Sequence, residues 1–256
     1  MPVEVLLPGS ADEAASLYGD GDGITVFAGG TILLPDIAAG RLKPERTLML
    51  QRSGLDWFGV ENGVVRIGAM VSLASLAGGA EPLLAEYAAH IADSEVRAGA
   101  TVGGNVCAPT GRESQRGDLG AALIALGARV RSTGRGGERT EPVEDFLAGD
   151  RSGRLVLALE YDRADRKHGA TGLRRRHAHS YAIANVAACE SDDGLRVGVA
   201  GVGGTAVRCR SVEQSRDADD VLRDVEPVDD AVASAAYRRR VLPLLVRRAL
   251  DQLENA

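Results

Sequence analysis

The sequence predicts an α+β protein, on three observations. Short apolar strands alternate with helical stretches up to about residue 161. A hairpin pattern follows, YAIANVAACES and LRVGVAGVGG around DDG at 192–194. The chain beyond about Asp217 is helical in its apolar period. A boundary therefore falls near 162–170, and no repeat of fixed period is present.

Each element has a local reason. Val3–Leu7 alternates enough for a short strand. Ser10 and Glu13 form an S-x-x-E capping box that starts a helix running through Tyr18. ITVFA (24–28) is a buried-looking strand closed by Gly29 and Gly30, and a helix follows from Thr31 or Ile32 to about Ala39. RTLMLQ (46–51) and VVRIGA (64–69) are further strands. SLASLAG (72–78) and PLLAEYAAHIAD (82–93) are helices, the second with Pro82 in its first turn. DLGAALIALGA (118–128) is a helix capped by Asp118. VRS (130–132) opens a strand, RGGERTE (135–141) is a polar turn, PVEDFLAG (142–149) a short helix and RLVLALEY (154–161) a strand. After Asp217, DADDVLRDV and VDDAVASAAYRRRVLPLLVRRALDQL are helical, with Pro243 kinking or starting a helix.

Composition narrows the function. With 256 residues, 45% of them hydrophobic and 26% charged, the chain has ample material for a globular core. A formal charge of −6 disfavours nucleic acid, which needs a basic face. The RRR runs at 174–176 and 238–240 therefore suit solvated faces or subunit contacts. Cys107, Cys189 and Cys209 are far apart and form no CxxC pair, so the chain encodes neither a zinc knuckle nor an iron–sulfur cluster. The first residues have no basic-then-apolar leader pattern and no run of 18 apolar residues exists, so the expected location is the cytoplasm. Glycine is abundant at 32 residues while aromatics make only 4%, which points to tight turns or ligand loops.

Two glycine stretches carry the chemistry. In FAGGTILLP (27–35) a buried strand runs through two glycines into a helix start. Glycines let a ligand approach the backbone, and unpaired N–H groups at a helix start attract anions. A plain strand–helix turn has the same pattern. GATVGGNVCAP (99–109) adds the hydroxyl of Thr101 and the amide of Asn105 to bare peptides, a donor set for phosphate oxygens. Asp118 follows at the next helix start, where a carboxylate accepts from sugar hydroxyls. Two donor loops and one acidic acceptor suit a dinucleotide such as FAD.

FAGGTILLP, then VRAGATVGGNVCAPTG with RGDLGAALIALGARV, then GLRRRHAHSYAIANVAA resembles, in that order, the FAD-binding medium subunit of molybdenum hydroxylases. That is the carbon monoxide dehydrogenase and xanthine dehydrogenase type. VRCRSVE and YRRRVLPLLVRRAL resemble the family's C-terminal domain. The resemblance implies a two-part FAD-binding domain of the vanillyl-alcohol-oxidase/PCMH type over 1–162, with subdomains of about 1–53 and 54–162, and a C-terminal α+β domain over 163–256. It implies a first pyrophosphate loop of Val26, Phe27, Ala28, Gly29, Gly30, Thr31, Ile32 and Leu33. The second is Thr101, Val102, Gly103, Gly104 and Asn105. Ile91 falls where relatives pack an apolar side chain on the cofactor, and Asp118 where an acid holds the sugar-alcohol part of FAD. Val156 matches a position near the flavin ring, and Arg174 or Arg175 the cation beside the isoalloxazine. Two departures stand out. Relatives often have a polar residue where Ile32 stands, although main-chain N–H groups do not depend on it. GRESQRG (111–117) lengthens the path to Asp118.

The resemblance further implies an oxidoreductase subunit that carries FAD and has no catalytic acid or base of its own. Molybdopterin and 2Fe–2S clusters would sit on a large and a small partner subunit, in a dimer of heterotrimers. Electrons would pass through the clusters to FAD and on to NAD, a quinone, a carrier protein or dioxygen. A stand-alone FAD-dependent oxidase or dehydrogenase acting directly on a small molecule shares every FAD motif. A scaffold that has lost FAD is opposed by the intact glycine loops. Other motifs read as structure. GVGGTA (201–206) fits G-x-G-x-x-A, but no amphipathic helix follows it, so it is a bend. His177 and His179 have no third metal ligand in view, and Cys107 has no assignable base.

Overall fold

The computed structural model describes residues 3–79, 81–108, 118–175 and 182–255. GRESQRG (111–117), Arg176, His177 and His179 lie outside the described residues. Three sheets occupy successive stretches of chain. In the first, β1 (Glu4–Leu6), β2 (Ile24–Phe27) and β3 (Arg46–Met49) run parallel in the order β1-β3-β2. Its crossovers hold α1 (Ala11–Tyr18) and α2 (Leu33–Ala38). Ser10 Oγ accepts the N–H of Glu13 at 3.1 Å, while the Glu13 carboxylate accepts from Gly9 at 2.7 Å, one residue before the expected return bond of a capping box.

The second sheet is antiparallel, in the order β4-β5-β8-β6-β7. Its strands are β4 (Phe58–Glu61), β5 (Val64–Gly68), β6 (Arg129–Gly134), β7 (Arg139–Pro142) and β8 (Arg154–Asp162). Val65, Ile67, Val130, Leu159 and Tyr161 of its inner face are buried. They share one core with α3 (Leu73–Ala77), α4 (Pro82–Ala89), α6 (Val102–Val106), α7 (Gly120–Ala125) and α8 (Val143–Ala148), and α5 (Ser94–Gly99) packs against α3. The outer face carries a charged ladder in which Arg66 pairs with Glu160 at 3.3 Å and Arg129 with Asp162 at 3.0 Å. The polar stretch 135–141 is part turn and part strand β7. Buried Arg154 donates to the carbonyls of Ser132, Arg135 and Gly137 at 2.8–2.9 Å and so holds that hairpin shut.

The third sheet, β12-β11-β10-β9, joins β9 (Lys167–Arg174), β10 (Ala182–Ser191), β11 (Gly194–Ala200) and β12 (Val207–Arg208) antiparallel. β10 reads as a continuous apolar run because both of its faces are buried. Ala184, Val186 and Ala188 face a core shared with the long α11 (Ala235–Glu254), and Ala187 and Cys189 belong to the core of the second sheet. Glycines permit both contacts. A Cβ on Gly169 would stand 2.0 Å from Ala249 O in α11, and one on Gly198 2.3 Å from Ala121 O in α7. Helix α7 is buried at every residue, and the core it belongs to takes in Ala170, Ala187, Cys189, Ala200 and Ala206 of the later chain.

The C-terminal part departs from a purely helical reading. α9 (Arg210–Ser215) and α10 (Val221–Asp224) are short, and 225–234 is irregular. Asp230 Oδ1 accepts the N–H groups of Val232 and Ala233 at 2.8 and 3.0 Å, which competes with helix formation. Arg238, the first arginine of its RRR run, is fully buried instead of solvated. It donates to the carbonyls of Ile183, Val228 and Ala233 and to the Asp230 carboxylate at 2.7–3.0 Å. α11 continues through Pro243, since burial of Leu242, Leu245, Val246, Ala249 and Leu253 outweighs a proline cost of about 3 kcal/mol. GVGGTA is irregular, and β12 separates it from α9, as expected of a bend.

Replacing Arg238 with Met removes the cation from Asp230 Oδ2 and the donor from the carbonyls of Ile183 and Val228, so denaturant melts should register a loss of about 3–5 kcal/mol. Burial alone would raise the Asp230 pKa, but hydrogen bonds from Arg238, Ala233 and Val232 outweigh it and hold the carboxyl below its usual range. A depressed acid stabilises the fold above its unfolded pKa of about 3.9 and loses that contribution as pH falls through the folded value. The acid-side slope of stability should therefore be shallower in Arg238→Met.

Candidate cofactor cleft

The two glycine stretches meet. Gly29 lies against the segment before Thr101 so closely that a Cβ would stand 1.9 Å from Gly99 O, and a Cβ on Gly99 would reach 3.3 Å from Thr31 Cγ2. Gly30 has φ +72°, and Phe27, buried below it, supports the turn. Gln51 fixes the strand end by donating to Ala28 O at 2.7 Å. Beside this contact opens a cavity of about 320 Å³, lined by Val26, Ala28, Gly29, Gly30, Thr31, Ile32, Leu33, Ile91, Thr101, Gly104, Asn105 and Asp118. Leu73, Ala92, Val96, Ala100, Cys107 and Ala108 complete the wall. These six carry no polar pattern that marks them in the sequence. Leu73 comes from α3 and Val96 from α5, and the others flank Ile91, Thr101 and α6 in the chain.

The two segments differ in how their donors are used. The main-chain N–H groups from Gly29 to Leu33 have no acceptor among the described residues, and α2 has no side-chain cap. In the second segment the amides expected to be bare are engaged. Val102 donates to Val71 O, Gly103 to Ala69 O and Asn105 to Thr101 O, all within 2.8–2.9 Å, and Gly104 donates to Thr101 Oγ1 at 3.1 Å. These bonds build α6, a single turn capped by Thr101, where the glycine spacing had suggested an open loop. A Cβ on Gly103 would press on Ala69 at 2.8 Å. What this segment leaves free, among the described residues, is the Thr101 O–H and the Asn105 Nδ2 amide.

Asn105 Oδ1 accepts the N–H of Leu119 at 3.2 Å, which pins the start of α7 to α6 and fixes Asp118 at the cavity. Asp118 stands one residue ahead of the N-cap, Leu119, and is not itself the cap. Phe27, Val102 and Gly103 are buried and do not line the cavity. Val156 is buried in β8 and does not line it. Neither do Arg174 and Arg175. Arg174 Nη2 donates to Asn185 Oδ1 at 3.2 Å, and Arg175 donates to the carbonyls of Ala231 and Val232. Cys107 keeps solvent access at the cavity wall, yet the surrounding protein desolvates its sulfur and pushes the thiol up to about 11, against a weaker opposing effect of Arg151. It is thus protonated at neutral pH and a poor nucleophile.

Residues 1–160 match the profile of the family described as the FAD binding domain in molybdopterin dehydrogenase. The chain belongs to this family. It is 28% identical over 94% of its length, and 90% of the relative's, to subunit alpha of the 6-hydroxypseudooxynicotine dehydrogenase complex of Paenarthrobacter nicotinovorans. It is 27% identical to the carbon monoxide dehydrogenase medium chain of Hydrogenophaga pseudoflava, over 95% of this chain and 94% of that one. In fold it superposes on carbon monoxide dehydrogenase from Hydrogenophaga pseudoflava with a TM-score of 0.86 at 24% identity, covering 100% of this chain and 98% of the other. Quinoline 2-oxidoreductase from Pseudomonas putida 86 gives a TM-score of 0.84 at 20% identity, over 100% and 98% of the two chains. The chain is therefore an oxidoreductase subunit of the molybdenum hydroxylase type with an FAD-binding fold. No helix among the described residues is long and apolar enough to cross a membrane.

The cavity suits the cofactor of this FAD-binding domain. Its lining holds Gly29 to Leu33, whose main-chain N–H groups have no acceptor among the described residues, together with a hydroxyl, an amide and one carboxylate, and apolar walls from Leu73, Ile91 and Val96. Gly29→Ala forces backbone apart where the two segments touch. Thermal melts should fall by the equivalent of about 1–3 kcal/mol, and the flavin recovered per chain should drop with them.

Proposed function

We propose that this chain is the FAD-carrying electron-transfer subunit of a heteromeric molybdenum hydroxylase. The observation that carries the reading is the meeting of Gly29–Leu33 with Thr101–Asn105 around one cavity. On this reading the N–H groups of Gly29 to Leu33, the Thr101 hydroxyl and the Asn105 amide donate to the diphosphate, and Asp118 accepts from sugar-alcohol hydroxyls. Ile91, Leu73 and Val96 keep water from the apolar part of the cofactor. Bound FAD supplies the capacity to take electrons from one-electron donors and deliver them to a two-electron acceptor. The chain's own residues bind and orient, and a protonated Cys107 leaves the cavity without a competing nucleophile. The likeness to named subunits of dehydrogenase complexes supports partners of two kinds, a large molybdopterin-binding chain and a small 2Fe–2S chain, assembled as a dimer of heterotrimers. NAD, a quinone, a carrier protein and dioxygen are the acceptors to try. The domain division that accompanies this reading is 1–53 and 54–162 for FAD, and 163–256 for the C-terminal domain.

The chain should purify yellow, with one FAD per polypeptide, and bring molybdenum and iron when produced with its partners. Thr101→Val removes a charge-assisted hydrogen bond together with the α6 cap to Gly104, and Asn105→Ala removes one together with the bond from Leu119, so flavin titration should give affinities lower by at least about tenfold. A colourless chain that refuses flavin overturns the proposal. An isolated chain that oxidises a small molecule at ordinary enzymatic rates replaces it with the stand-alone flavoenzyme.

A further inference from the structure

The second sheet overhangs its own cover at β4. Phe58 and Val60 stand opposite Ile67 and Val65 in the ladder, and side chains paired in this way share a face. On β5 that face is core, with Ile67 0% and Val65 5% exposed. On β4 the same face is open, with Phe58 44% and Val60 49% exposed and Trp57 beside them at 38%. Under the overhang lies a cavity of about 480 Å³, floored by Met70 and Leu76 and flanked by Phe58, Asp56 and Glu81. β4 is also the end strand of its sheet, so its outer edge is unpaired among the described residues. It carries neither the lysine nor the proline that commonly blunts a free edge.

The charge around this opening has one sign. Asp56 and Glu81 line it and have no ion-pair partner among the described residues, and the Glu81 carboxylate accepts the Tyr161 hydroxyl at 3.2 Å. We infer that the overhang docks a partner subunit, through an extended segment that pairs with β4 and sets an apolar side chain, flanked by lysine or arginine, into the cavity. A second copy of this chain is the weaker occupant. Its own β4 stretch, Asp56 to Glu61, carries no lysine or arginine to set beside Asp56 and Glu81, and its Glu61 is already paired with Arg66. The inference rests on the reading of the chain as a subunit.

The test is co-production of the tagged chain with its molybdopterin-binding and 2Fe–2S partners, scoring partner recovered and flavin per chain. Wild type should bring its partners. Phe58→Glu and Asp56→Lys should each lower partner recovery by at least about tenfold, with flavin content and melting temperature unchanged. Full partner recovery by both variants overturns the inference while the subunit reading stands. So does an isolated wild-type dimer that Phe58→Glu turns into a monomer, because the occupant is then a second copy. A flavin-loaded wild-type chain that recovers neither partner overturns the subunit reading and the docking surface together.

Discussion

The site depends on one main-chain contact, Gly29 against the carbonyl of Gly99. The two residues are far apart in sequence and belong to different sheets' surroundings, yet no side chain larger than hydrogen fits between them. Backbone packed on backbone is a stiff contact, because neither side has a rotamer to change. It sets the position of the Gly29–Leu33 turn relative to Thr101 without using any N–H group of that turn. The donors that a phosphate would need are thereby placed by sterics and left unspent.

This explains why two similar glycine stretches have different tasks. The first has a left-handed Gly30 and a helix with no side-chain cap, which leave a row of amides without acceptors among the described residues. The second uses its amides to fasten α6 to Ala69 and Val71 at the end of β5, and presents side chains instead. On the proposed reading, one segment is the donor surface and the other is the rigid wall that keeps it in register. Rigidity there is useful because an anion site made of loose amides would lose much of its binding energy in ordering them.

The elements legible in the sequence are those with local causes. The Ser10 cap, Pro82 at the start of α4, the hairpin turn at 192–193 and the strand–glycine–helix pattern at 24–33 each depend on residues a few positions apart. What was not legible depends on distant partners. Arg238 looked like one of three exposed arginines, and only the carbonyls of Ile183 and Val228 make it a core residue. VDDAVAS (228–234) reads as the start of the last helix, but Asp230 turns its carboxylate onto its own backbone and Arg238 clamps the result. Within the site, the glycine spacing at 103–104 identified the segment, while the occupation of its amides depended on Ala69 and Val71, more than thirty residues earlier.

The long path through GRESQRG raises the question of how Asp118 keeps its place. The answer lies at the two ends of that path. Before it, α6 is fastened to β5, and Asn105 Oδ1 reaches forward to the N–H of Leu119. After it, Leu119 and every residue of α7 are buried, and α7 is wedged so tightly that Gly120 and Gly198 leave no room for a Cβ against Ala206 and Ala121. Asp118 is therefore held from both sides by contacts that bypass the segment between. Insertion length costs only a slowly rising loop entropy, about 0.6 kcal/mol per doubling, whereas displacing Asp118 would open the core shared by the second and third sheets. The acid at the cavity is thus a consequence of how the C-terminal sheet packs, which couples the cleft to a sheet none of whose described residues lines it.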